Sequence, residues 1–170
     1  MSLRGLVSYA TMCFGLHTLP AAHAAPCARD AFLEITKPSA MHRGERERAT
    51  FNEAQILALP KASITTATEW SPLGRFEGPL LKDVLKSAGA EGKTLRMSAL
   101  NGYVVSVPVT DLEDYPVILA HSLDGKKLAR HRWGPLFVIY PRDEHPDELK
   151  TPTAQAKFIW QLCRIDVEGD

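Results

Sequence analysis

Between residues 130 and 143 the chain sets Arg130, His131, Arg132 and Arg142 around a single Trp133, with Asp143 directly after Arg142. An aromatic ring beside planar guanidinium groups both stacks on and hydrogen-bonds to a flat heteroaromatic molecule. Other aromatic and polar side chains stand at predicted strand ends. Trp70 sits in a Glu-Trp-Ser-Pro turn with Thr68 just before it, and Asn101 and Tyr103 flank Gly102. Trp133, Arg132, Arg142, Asp143, Asn101, Tyr103, Trp70, Thr68 and His131 therefore form the candidate set for a flat, polar ligand. Trp160, inside the apolar run FIWQL, is assigned to the core.

Other chemistries lack their residues. There is no His-x-His, no His-Glu-x-x-His and no Cys-x-x-Cys, so the usual metal-ligand spacings are missing. The acidic stretch 143–148 reads as a solvated loop. Neither a Gly-x-Ser-x-Gly nucleophile turn nor a glycine-rich phosphate loop occurs. With 20 Lys and Arg against 20 Asp and Glu, the chain shows no basic excess of the kind that nucleic-acid binding requires.

The candidate residues need a scaffold, and the central stretch 95–143 supplies the clearest one. Residues 95–100 and 103–109 flank Asn101-Gly102, a pair that predicts a hairpin with a type I′ turn. A third apolar run, 117–121, is closed by Asp124-Gly125, and the unbroken LFVIY run predicts a strand buried on both faces. Upstream, 32–36 alternates like an edge strand and 40–48 reads as a solvated connection. Thr50 and Glu53 predict a capping box ahead of a helix over 51–59, followed by a strand over 63–68. A second helix is expected from Pro79 to Gly89, with Leu80, Leu81, Val84, Leu85 and Ala88 on its apolar face. Residues 141–152 read as a surface loop and 158–167 as a last strand. Strands outnumber helices without regular alternation, which predicts an α+β domain with a mixed sheet.

Arg4, the apolar stretch 6–19 and Ala22-His23-Ala24 together predict a secretory leader over residues 1–24, cleaved after Ala24. Residues 25–170 then form one domain. No other apolar segment is long enough to span a bilayer, so no membrane insertion of the mature chain is expected. Cys27 and Cys163 remain after processing. In an exported protein two thiols suggest one disulfide, and a buried free Cys163 is the alternative.

The segments FEGPLLKDVLKSAGA, SALNGYVVSVP, VILAHSLDGKKL, GPLFVIYPRD and FIWQLCRIDV, in this order, resemble the molybdopterin-binding domain of the sulfite oxidase family. The resemblance runs from about Phe32 to Val167 and is best to small exported proteins made of that domain alone. It implies the α+β sulfite-oxidase-type fold, a mixed sheet with flanking helices and a pterin held among loops at one side. Catalytic members ligate molybdenum through a cysteine on the strand before the FxGPLL segment; here that stretch is Ile64-Thr65-Thr66-Ala67-Thr68, without a thiol. The expectation is a metal-free pterin stacked on Trp133. Arg132 and Arg142 would assist, Asp143 would take the ring's amidine edge, and Asn101 and Tyr103 would fold over from the hairpin tip. Some small members look like periplasmic pterin-binding proteins that report to the periplasmic domain of an inner-membrane protein controlling cyclic-di-GMP. The same resemblance leaves two alternatives: a molybdopterin-dependent oxidoreductase or its subunit, and a degenerate domain that serves only as an interaction module.

Overall fold

The computed structural model describes Cys27, residues 31–42 and residues 44–169. The expected leader, residues 1–24, lies outside the described residues. The elements run β1 (Leu33–Pro38), β2 (Arg46–Phe51), α1 (Glu53–Leu57), β3 (Lys61–Thr66), β4 (Gly74–Pro79), α2 (Leu81–Ser87), β5 (Thr94–Ala99) and β6 (Val104–Pro108). There follow α3 (Asp111–Asp114), β7 (Ile118–Ala120), β8 (Ser122–Leu123), β9 (Lys126–Lys127), β10 (Phe137–Ile139), α4 (Pro146–Leu149), α5 (Pro152–Gln155) and β11 (Leu162–Glu168). This is the mixed α+β architecture expected from the run of strands.

Five strands make the largest sheet, in the order β2-β1-β11-β5-β6. Strand β1 lies parallel to β11 and every other pairing in this sheet is antiparallel. Glu34 and Arg164 are directly opposite across the parallel pair, and the Arg164 guanidinium donates to Glu34 at 2.8 Å while also gripping Asp166. Glu34 is almost fully buried, so this pairing is what makes its charge tolerable there. A four-stranded sheet, β3-β4-β8-β9, and the pair β10-β7 hold the other strands of the described residues. Residues Leu136, Phe137, Val138, Ile139 and Tyr140 are all fully buried, as the unbroken apolar run predicts. On α2, Leu81, Val84 and Leu85 face the core, each burial contributing about 1.5–3 kcal/mol.

The Cys27 and Cys163 sulfurs are bridged, with a Cα–Cα separation of 5.7 Å that suits a disulfide. The bridge fastens the N-terminal arm to β11 across 136 residues of sequence. Cys163 is therefore not the free thiol of the alternative reading.

Several local expectations shift. Part of the expected solvated connection 40–48 is the edge strand β2, whose Arg and Glu side chains keep the edge soluble. The capping box before α1 is made by Asn52 and Gln55 rather than Thr50 and Glu53, with bonds of 2.9 and 2.8 Å in the two directions. Pro79 closes β4 instead of opening α2, whose N-cap is Leu80. At the central hairpin only Gly102 has positive φ, +85°, so Leu100, Asn101 and Gly102 form a three-residue loop, not a type I′ turn. The Asn101 amide oxygen accepts from the Tyr103 N–H instead. The turn with two positive φ values is Asp124-Gly125, at +50° and +72°, between β8 and β9. The loop 141–152 contains α4 and the start of α5, with Leu149 buried. The last strand begins at Leu162, not Phe158, because Gln161 has a φ of +57°.

Candidate ligand-binding site

Where β3 ends, Thr68 folds the chain back on itself. Its hydroxyl accepts from the Ser71 N–H at 3.0 Å and the Trp70 N–H at 3.2 Å and pairs with the Ser71 hydroxyl at 2.8 Å. Both hydroxyls are buried, so this small network is satisfied from within. The turn thrusts the Trp70 side chain outward, leaving it 43% exposed.

Trp70 forms one wall of a cleft of about 220 Å³ shared with Asn101, Tyr103, Phe158, Ile159 and Trp160. Tyr103 leaves the hairpin tip and its hydroxyl donates to the Ala156 carbonyl at 3.0 Å, closing one end. Asn101 places an amide in a lining that is otherwise aromatic apart from Ile159. Drug-sized ligands occupy about 300–1,000 Å³, so this cleft suits a single small ring system with an apolar face and a polar edge.

The Trp70 turn is latched from beside. The Glu69 carboxylate accepts from the Arg142 guanidinium at 2.7 Å and from the Gln155 amide at 3.1 Å. Arg142 is mostly buried, and its Nε finds no partner among the described residues. Asp143 ties the same corner together: one carboxylate oxygen accepts from the Ala67 N–H at 2.9 Å and the Thr66 hydroxyl at 3.1 Å, while the other meets Lys150 at 2.9 Å. The Ala67 N–H foremost, with Lys150 and the Thr66 hydroxyl, holds the Asp143 carboxyl below the usual carboxylate range against the opposing effect of burial. Asp143 is thus a brace whose acceptors are already engaged by the protein.

The expected single site divides in two. Trp70, Asn101 and Tyr103 share the aromatic cleft, and Thr68, Arg142 and Asp143 build the turn and latch beside it. Trp133, Arg132 and His131 belong to a different loop. The Arg132 guanidinium lies 3.9 Å over the Trp133 ring, and Trp133 lines a separate cleft with Lys126, Lys127, Leu128 and Ala129. Its half-buried ring packs against the core, and His131 is exposed. The two clefts have no lining residue in common.

Trp160, assigned to the core from sequence, is half-buried: it packs against the core, as Trp133 does, and also lines the aromatic cleft. The apolar run FIWQL carries no signal of this, and the strand itself starts only after Gln161, whose φ is +57°. Gln161 also anchors the junction: its N–H donates to the Trp133 carbonyl and its carbonyl accepts from the Leu100 N–H. Glu69 and Gln155 were missed because lone polar residues in loops carry no periodic signal.

The family model of the oxidoreductase molybdopterin-binding domain matches residues 30–144. The chain belongs to this family. A search of curated proteins finds no match. The matched span of the molybdopterin-binding domain includes the Trp70 turn, the hairpin tip, the Trp133 loop and Arg142, whereas Gln155 and Trp160 lie beyond it.

A molybdenum centre held by a protein thiolate does not fit the donors of this member of the molybdopterin-binding domain family. At the corner before β4 stand the hydroxyls of Thr66 and Thr68 and the Asp143 carboxylate, all engaged within the protein. Its two described cysteines are joined to each other. Hard, neutral hydroxyls are poor substitutes for a soft thiolate.

Proposed function

We propose that this domain binds a pterin in the cleft of Trp70, Tyr103 and Trp160, without molybdenum and without redox chemistry of its own. The observation that carries the reading is the coexistence of an open aromatic cleft with a neighbouring corner that presents hydroxyls and the Asp143 carboxylate but, among the described residues, no free thiolate. The aromatic walls stack the bicyclic ring, the Asn101 amide meets its polar edge, and the Glu69 latch with Arg142 and Gln155 fixes the Trp70 wall. Bound pterin is then a signal rather than a cofactor. Within this proposal the protein is exported to the periplasm after cleavage at Ala24. There it reports pterin to the periplasmic domain of an inner-membrane protein that controls cyclic-di-GMP. Family membership, the missing thiolate and the leader-like N-terminus support that assignment.

The test is chemical analysis of the protein isolated from its native compartment. The reading expects a blue-fluorescent pterin, identified by mass spectrometry, and no stoichiometric molybdenum. Molybdenum bound in proportion to protein would instead establish a molybdopterin oxidoreductase or its subunit. Absence of any pterin, with no uptake on incubation, would leave the interaction-module alternative.

A further inference from the structure

From Gly125 to Arg142 the chain contains no Asp or Glu, yet it carries Lys126, Lys127, Arg130, His131, Arg132 and Arg142. Lysines and arginines balance the acids over the whole chain, so the remainder holds an acidic excess. Lys126, Lys127, Arg130, His131 and Arg132 are all exposed. The nearest acids are already occupied: Glu53 pairs with Lys127 at 2.5 Å, and Asp124 accepts from the Arg75 N–H at 2.9 Å. Lys126, Arg130 and His131 make no ion pair with any described residue.

These cations stand on a rigid support. The Ala129 carbonyl accepts from both the Arg132 and Gly134 N–H groups, at 3.0 and 2.9 Å. The Gln161 side chain donates to the Arg130 carbonyl at 2.8 Å, and Arg132 is held over Trp133. Gly134 is pressed so closely against the Leu128 carbonyl that no Cβ would fit. Two recesses, of about 350 and 250 Å³, flank β9 and share Lys127, Leu128 and Ala129 as the ridge between them. The first has Phe32 and Pro135 in its wall, the second Trp133.

We propose that β9 and the turn after it form a docking surface for an acidic segment of a partner protein. Carboxylates would meet Lys126, Arg130 and Arg132, and small apolar side chains would enter the two recesses. A preformed cationic surface loses little freedom on binding and steers an acidic partner toward it. A protein fits better than a lipid surface. Among the described residues the exposed large apolar side chains are Met41, Leu57, Trp70, Leu73 and Tyr103, none of them in this patch, so it offers nothing to insert between lipids. The surface deepens the partner half of the proposed function and is separate from the pterin cleft.

A labelled synthetic peptide alternating Glu with Val, titrated against the full chain by fluorescence anisotropy, tests the inference. Binding should weaken steadily with added salt and fall by at least about tenfold in the double variant Lys126→Glu, Arg130→Glu. The same reversal at Lys82 and Lys86 on α2 should leave it unchanged. Carbodiimide cross-links should map to Lys126 and Lys127. If charge reversal costs stability, the alanine pair Lys126→Ala, Arg130→Ala gives the same reading. Failure to bind the peptide, indifference to the variants, or cross-links centred on α2 would overturn the proposal. So would binding to phosphatidylglycerol vesicles without binding to the peptide, which marks a membrane surface. Pterin titration of the same variants keeps the two readings apart, since it should be unaffected here and fails only if the pterin reading fails.

Discussion

At Trp133 a guanidinium covers the indole; at Trp70 the indole faces an open cleft shared with Tyr103 and Trp160. Both regions combine an aromatic side chain with arginine, and in both the arginine is held close by. The difference lies in what the arginine contacts. Arg132 lays its planar face on Trp133 itself, whereas Arg142 bonds to Glu69, the residue before Trp70, whose side chain stays 43% exposed. Proximity in sequence gathers cations around Trp133, but tertiary structure decides which ring remains available. A cation–aromatic contact within the protein is worth about 0.5–1 kcal/mol at an exposed site, a cost any ligand would meet before stacking on that face.

The largest perturbation should leave the two regions together. Reducing the Cys27–Cys163 bridge, or replacing both cysteines by serine, should cost about 2–5 kcal/mol of stability. Because β11 carries Cys163 and follows directly from the segment holding Trp160 and Gln161, both regions should melt in one transition. Separate transitions, followed by site-specific probes near Trp133 and Trp70, would show that they are not one cooperative unit.

The tryptophans themselves should part the regions. Trp70→Ala and Trp160→Ala should each weaken pterin binding by about 1–3 kcal/mol, roughly tenfold to a hundredfold, as loss of an aromatic stack does. Trp133→Ala should lower thermal stability by removing half-buried apolar contacts while leaving pterin affinity close to wild type. Calorimetric titration beside thermal melting reads both effects.

A smaller effect belongs to the turn. Thr68→Val removes the acceptor for the Ser71 and Trp70 amides and should cost about 1 kcal/mol of stability. Since the turn positions Trp70, pterin affinity should fall with it, and the same substitution should not disturb Arg132 binding over Trp133.

The sequence made the framework legible where a pattern holds: the buried LFVIY strand and the apolar face of α2. The first strand, read as an edge from its alternation, lies instead between β2 and β11 with Leu33, Glu34, Ile35 and Thr36 all buried. Trp70 was also legible as an exposed aromatic, because a Ser-Pro pair after it marks a turn. The place of Trp160 on a cleft was not, since the apolar run FIWQL does not say which of its side chains border open space. Nor was the role of Thr68 and Asp143 as internal supports. Their partners, Ser71 and Trp70 for one and Thr66, Ala67 and Lys150 for the other, are fixed by how the chain turns and not by spacing. The hairpin at Asn101-Gly102 was placed rightly but its turn type was not: Asn-Gly and Asp-Gly both permit positive φ at two positions, and only register selects which pair adopts it.

The smallest expected effect is one of pH. The folded carboxyl of Asp143 lies below its ordinary value, so the stability it supplies is present above the unfolded pKa and is lost as pH falls through the folded one. The corner at Thr66 and Ala67 should therefore hold from neutral pH down to about pH 4 and weaken only below it. In Asp143→Asn that acid limb should be diminished, as read from chemical denaturation at a series of pH values. A loss near pH 6 would point to a different titrating group.

The chain's three tryptophans give three indole N–H resonances, which allows the central claim to be read directly. Once assigned by single Trp→Phe substitutions, they can be followed by heteronuclear NMR as pterin is added to the full chain. The account predicts that the Trp70 and Trp160 signals shift together and saturate at one concentration while the Trp133 signal stays in place. A shift confined to Trp133, with Trp70 and Trp160 unmoved, would contradict it.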